Sequence, residues 1–162
     1  MIKRLFFLIA TVAVLLTACS DNDSFTKDPS QHLSFSSDTI RLDTLFSQVP
    51  SVTYTFWVHN NSNDGLRITE ARLENGNLTG FRVNVDGTFL NPVGRNFEVR
   101  KGDSLRVFVE RTSFETHSLD PELVEDNLLL TLESGVVQKV NLRTYSWDAE
   151  KVTNLEKNSK KR

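Results

Sequence analysis

From Leu33 to Tyr145, apolar residues fall at every second position in short runs separated by turn residues. This is the pattern of strands that bury one face. The clearest run is Val52 to His59, in which Val52, Tyr54, Phe56 and Val58 share one side, and Asn60-Asn61-Ser62-Asn63-Asp64-Gly65 ends it with turn chemistry. Leu33 and Phe35, then Ile40 and Leu42, predict shorter strands around Ser36-Ser37-Asp38. Leu66 and Ile68 start the next strand, and Ala71 and Leu73 continue it out of phase, so a bulge is expected near Glu70. Phe81, Val83 and Val85 alternate up to the hairpin turn Asp86-Gly87. Phe97 and Val99 lead to Lys101-Gly102-Asp103, after which Leu105, Val107 and Val109 form another inward row. A final pair is predicted at Asn127 to Glu133 and Val136 to Tyr145, joined across Ser134-Gly135. Alternation stops between Arg111 and Asp126, the longest expected connection.

The prediction is all-β: an antiparallel sandwich of about seven to eight strands over residues 33–147, with no helix. The order of elements resembles the bacterial immunoglobulin-like domains of the Hydin and abnormal-spindle type. The carrying features are Asn60, Gly65 with Leu66 and Ile68, Gly80-Phe81, Lys101-Gly102-Asp103 before Leu105, and the pair around Ser134-Gly135. Such domains usually close the strand of Val107 and Val109 with a proline, where this chain has Arg111-Thr112. The chain is also similar to the amino-terminal domain of longer Bacteroidota envelope lipoproteins of unknown role, in which a larger second domain often follows.

The first 18 residues are of another kind. Lys3-Arg4 precedes a twelve-residue apolar run from Leu5 to Leu16. At about 1.5 Å per residue a helix of that length covers roughly 18 Å, short of a hydrocarbon core of about 30 Å. It reads as a cleaved leader. Leu16-Thr17-Ala18-Cys19 resembles the lipobox of bacterial lipoproteins. That resemblance implies cleavage after Ala18 and acylation of Cys19, with two or more chains giving a stable anchor. Residues 19–32 read as a lipidated, solvated tether carrying Asp21, Asp23 and Asp28, and residues 148–162 as a polar, basic tail. The early acidic residues resemble the export signal of Bacteroidota surface lipoproteins, so an outer-membrane location is expected, on the periplasmic or the cell-surface face.

Composition narrows the chemistry. The chain has 19 basic and 21 acidic residues, and loss of Lys3 and Arg4 with the leader gives a mature charge of −4, which disfavours a nucleic-acid partner. Cys19 is the single cysteine, so an acylated chain has no disulfide, no thiolate metal site and no cysteine nucleophile. No nucleophile elbow, phosphate loop or His-Glu-x-x-His is present. His32, His59 and His117 read as exposed, and Asp120-Pro121-Glu122 with Glu125-Asp126 as a solvated acidic loop in preference to a calcium site. No cofactor or metal is expected.

Two sets of candidate residues remain. Trp57, Phe108, Tyr145 and Trp147 lie opposite the inward rows or at a strand end, and would form one aromatic patch for a sugar ring or a protein partner if their strands share a sheet. The alternative is that Trp57 or Phe108 packs under a neighbour. Thr39, Thr44 and Ser104 each follow an aspartate and precede an apolar residue, similar to the acceptor of Bacteroidota O-glycosylation. The expected function is a membrane-anchored, non-enzymatic binding or scaffold module whose partner is an envelope protein or a glycan. The alternative is an accessory part of an envelope enzyme system.

Overall fold

The computed structural model describes residues 24–115 and 120–148, and among them there are eleven strands and no helix. They are β1 (Ser34–Phe35), β2 (Thr39–Arg41), β3 (Leu45–Phe46), β4 (Tyr54–His59), β5 (Leu66–Leu73), β6 (Phe81–Val85), β7 (Thr88–Phe89), β8 (Val93–Val99), β9 (Ser104–Arg111), β10 (Glu122–Leu132) and β11 (Val137–Trp147). Seven of these have five or more residues, and the other four are edge pieces. One sheet has the order β1-β4-β9-β6-β7 and the other β2-β11-β10-β5-β8, with β3 also on β11. The result is an immunoglobulin-like β-sandwich. Phe56, Val58, Val83, Val107 and Val109 of the first sheet and Ile68, Leu128, Leu130, Val140 and Leu142 of the second belong to one buried core.

The phase shift in β5 is a bulge. Ile68 pairs with Leu132 but Glu70 with Thr131, leaving Thr69 as the extra residue, whose Oγ1 donates to Thr131 O at 3.1 Å. Inward Leu66 and Ile68 therefore hand over to Ala71 and Leu73 without either pair leaving the core.

Four expectations are corrected. The sandwich is not wholly antiparallel, because β2 and β3 pair parallel with β11 and together cover its free edge. The inward row of β4 starts at Phe56; Val52 is 75% exposed and precedes the strand, and Tyr54 is exposed where β4 begins, at the end of the sandwich. β10 begins at Glu122, five residues before the hydrophobic pattern shows it, because its backbone continues to pair with β11 beyond the end of β5. Finally, residues 24–32 are not a free tether. Phe25 bridges Gly65, Thr26 N–H donates to Gly65 O at 3.0 Å and Gly65 N–H to Ser24 O at 2.7 Å. Lys27 pairs with Glu133 at 3.0 Å, and Leu33 exchanges two hydrogen bonds with the Gln138 amide.

Phe25 docks because position 65 lacks a side chain. A Cβ there would lie 2.8 Å from two Phe25 ring atoms, inside van der Waals contact, while the backbone conformation itself suits any residue. The Arg67 guanidinium lies 4.7 Å from the Phe25 ring centroid and holds Glu98 and Glu133. Gly65→Ala should therefore release the Ser24–Lys27 segment and leave the sandwich folded. Hydrogen exchange at the Thr26 amide checks this; unchanged protection would show that the ring can move aside.

Candidate binding surface

Trp57 on β4 and Phe108 on β9 lie on the outward face of the first sheet, and Tyr145 and Trp147 on β11 belong to the second. The single four-residue patch therefore does not form, because the strands fall in different sheets. Trp57 is half-buried, with Arg106 directly across from it and the guanidinium 4.6 Å from its ring centroid. The same guanidinium lies 5.9 Å from Phe108. His59 stacks on Trp57 at 6.5 Å, which corrects the expectation that it is solvent-exposed. Trp57 is thus engaged by side chains of its own sheet, on the outward face.

Phe108 has a different setting. Sheet register aligns Thr55, Phe108, Asn84 and Phe89 in one row across β4, β9, β6 and β7, with Glu110 and Arg82 paired in the row beside it. A hollow of about 230 Å³ is lined by Thr53, Arg82, Asn84, Phe89, Phe108 and Glu110. A second, of about 200 Å³, shares Arg82 and Phe89 and adds Asn77, Thr112 and Phe114. Arg82 and Glu110 stand 3.8 Å apart, and Asn84 Oδ1 is buried with no hydrogen-bond partner. The sequence reading missed Phe89, Asn84 and this ion pair. The Asp86-Gly87 hairpin could have revealed the first two, since a turn there sets Asn84 opposite Phe89.

On the second sheet, Trp147 sits 6.1 Å from Phe46, and Tyr145 is opposite Leu123. Phe46, Val49, Leu123, Tyr145 and Trp147 are all exposed at this end of the sandwich, opposite the pole where Phe25 docks. The interior beneath is polar. Arg111 is 2% exposed and its Nε donates to Thr79 O at 2.8 Å, while Nη1 has no partner. Burial pushes the guanidinium pKa down, and Glu122 acts in the opposite sense. Ser113 and Ser146 share a hydroxyl contact, and Thr144 Oγ1 donates to Asp43 O at 2.6 Å. The corner that a proline usually makes is closed here by Ser51 N–H donating to Arg111 O and by the Pro50–Thr112 bridge.

The acidic loop is corrected too. Glu122, Glu125 and Asp126 belong to β10, Glu125 contacts Arg143, and Asp126 is buried among donors. Among the described residues no three His, Cys, Asp or Glu side chains come together as a metal site. Of the three hydroxyls in aspartate-led tripeptides, Thr44 is exposed in the loop between β2 and β3, whereas Thr39 and Ser104 are half-buried in strands. Leu16, Thr17, Ala18, Cys19 and His117 lie outside the described residues.

No family model matches the chain, and no curated protein matches it either. Solved structures do. A protein of unknown function from Porphyromonas gingivalis W83 matches with a TM-score of 0.53 at 14% identity, over 75% of this chain and 50% of that one. The CooA pilin subunit of enterotoxigenic Escherichia coli matches with a TM-score of 0.50 at 12% identity, over 73% of this chain and 99% of the pilin. A PapD-like domain of human CEP192 matches at 0.47 and 14% identity, over 77% and 92%. The chain spans half the length of the Porphyromonas protein, and at these identities what is shared is the fold.

Proposed function

We propose that this chain is a lipid-anchored, non-catalytic module that holds a binding surface close to the outer membrane, on its periplasmic or cell-surface face. The supporting observation is the docking of Ser24 to Lys27 against Gly65 and Glu133. With Cys19 acylated, five residue steps separate the lipid from the first docked residue, a reach of about 17 Å. A free tether to residue 32 would reach more than twice as far. The short link turns the Phe25 pole toward the lipid and the pole of Phe46, Tyr145 and Trp147 away from it.

The anchor is tested by Cys19→Ala. The variant should leave the membrane fraction for the soluble one and lose incorporation of labelled palmitate. Retention in the membrane would overturn acyl anchoring. A second reading, an accessory domain of an envelope enzyme or glycan-processing system, is favoured by the exposed apolar side chains around Trp147, where β11 ends.

A further inference from the structure

We infer that the outward face of the second sheet carries a binding site for an apolar carboxylate, between Arg41 and Arg143. The inference goes beyond the anchored module and stands without it. Pairing of β2 with β11 sets Arg41 directly beside Arg143, and pairing of β10 with β11 sets Glu125 on the other side of Arg143. Glu125 contacts Arg143, whose Nε also donates to Asn141 Oδ1 at 3.0 Å. Arg41 makes no ion pair or hydrogen bond among the described residues. The other arginines in the strands of this sheet, Arg67, Arg72, Arg95 and Arg143, each touch a carboxylate. Like charges side by side on neighbouring strands repel, so the row Arg41, Arg143, Glu125 is left with one positive charge that nothing in the chain offsets.

Both arginines line a hollow of about 150 Å³, together with Leu42, Leu123, Thr144 and Tyr145. Neither Glu125 nor Asp43 lines it. The backbone around it is fixed, because Leu42 N–H donates to Arg143 O at 2.9 Å and Thr144 Oγ1 donates to Asp43 O at 2.6 Å. Leu123 and Tyr145 stand opposite each other on β10 and β11, and both are exposed. A ligand that matches this lining brings one negative charge to the guanidinium groups and an apolar body to the two leucines and the tyrosine ring. A carboxylate offers the planar pair of oxygens that a guanidinium fork binds, and its single charge equals the one left over. Volume restricts the ligand to one small group, since drug-sized ligands take about 300 Å³ or more. That group is either a free small acid or the last residue of a protein chain, whose preceding residues would lie along exposed Trp147 and Phe46 beyond Tyr145.

The test is a titration of the mature chain with 3-phenylpropionate, with acetyl-glycyl-glycyl-leucyl-phenylalanine and with the C-terminal amide of that peptide, followed by nuclear magnetic resonance. Both carboxylates should shift the Leu42 and Leu123 methyl signals, with a Kd between about 100 μM and about 5 mM, and the amide should bind about tenfold more weakly or not at all. A tighter complex with the peptide than with the free acid assigns the ligand to a chain end; the reverse, or equal binding, assigns it to a small acid. Arg41→Gln should weaken both complexes by about tenfold and leave the thermal midpoint unchanged or higher, because it removes an uncompensated charge. Leu123→Ser should weaken them by about fivefold, and Arg106→Gln, on the other sheet, should change nothing. Silence from both carboxylates, equal binding of peptide acid and amide, or binding that survives Arg41→Gln would overturn the site. A midpoint lowered by several degrees in Arg41→Gln would overturn its premise, since the charge would then be offset within the chain. Tighter binding of phenyl phosphate than of 3-phenylpropionate would overturn the ligand class.

Discussion

Asn60→Leu is expected to destabilise the domain by about 4 kcal/mol, because it leaves several buried polar groups without partners at once. Asn60 is fully buried at the end of β4. Its Nδ2 donates to Asp64 O and to Val99 O, both at 2.8 Å, and its Oδ1 accepts from Ser62 N–H at 3.0 Å and Ser62 Oγ at 2.5 Å. The backbone is used as well: Asn60 N–H donates to Asp103 O, and Asn60 O accepts from Gly102. One side chain thus ties the β4–β5 turn to the β8–β9 turn, joining two crossings between the sheets. Leucine fills similar space but strands the Val99 carbonyl in the interior. Asn60→Asp keeps the shape and turns a donor into an acceptor that faces two carbonyl oxygens, so it should cost nearly as much at neutral pH. A shift of the thermal midpoint by about 15 °C for either variant is the measurement. A shift of a few degrees would show that water replaces the lost bonds.

Asp126→Ala should cost about 3 kcal/mol, while Asp126→Asn should cost less than about 1 kcal/mol. The carboxylate is 1% exposed. Its Oδ1 accepts from Asn75 N–H at 3.1 Å, Asn75 Nδ2 at 3.3 Å and Asn127 N–H at 2.8 Å, and its Oδ2 accepts from Thr79 Oγ1 at 2.6 Å. The residue therefore fastens the turn between β5 and β6 to the middle of β10. Asparagine reproduces this arrangement, because its oxygen can meet the three N–H groups while its amide donates to the threonine hydroxyl, which can reverse its role. Alanine removes the acceptor that all four donors share, in a part-buried setting. Denaturant unfolding of the two variants separates the cases. Equal losses for both would mean that the negative charge, and not the hydrogen-bond pattern, is what the site requires.

The two residues show where sequence reading succeeds. Asn60 stands out as the polar residue closing an alternating run, and it occupies a matching place in the immunoglobulin-like pattern. Asp126 looks like one more member of an acidic stretch, because nothing local reveals that Asn75 and Thr79 come to surround it. The same contrast holds for the candidate surface. Trp57 and Phe108 are legible as outward-facing from the two-residue period alone. That Arg106 occupies Trp57, and that Asn84 and Phe89 flank Phe108, depends on strand pairings between distant segments.

By itself the sequence determined the all-β class, the inward rows apart from the start of the β4 row, the bulge in β5 and the turn positions, since each follows from periodicity and turn chemistry within a few residues. Only the tertiary structure decided which strands share a sheet, and with it that Trp57 and Tyr145 lie in different sheets while Asn84 meets Phe108. It also decided that residues 24–27 dock. Phe25 is one apolar residue in a polar stretch, and its partner is a glycine forty positions on, whose missing side chain makes the space. Such contacts depend on shape at long sequence separation, and no local pattern encodes them.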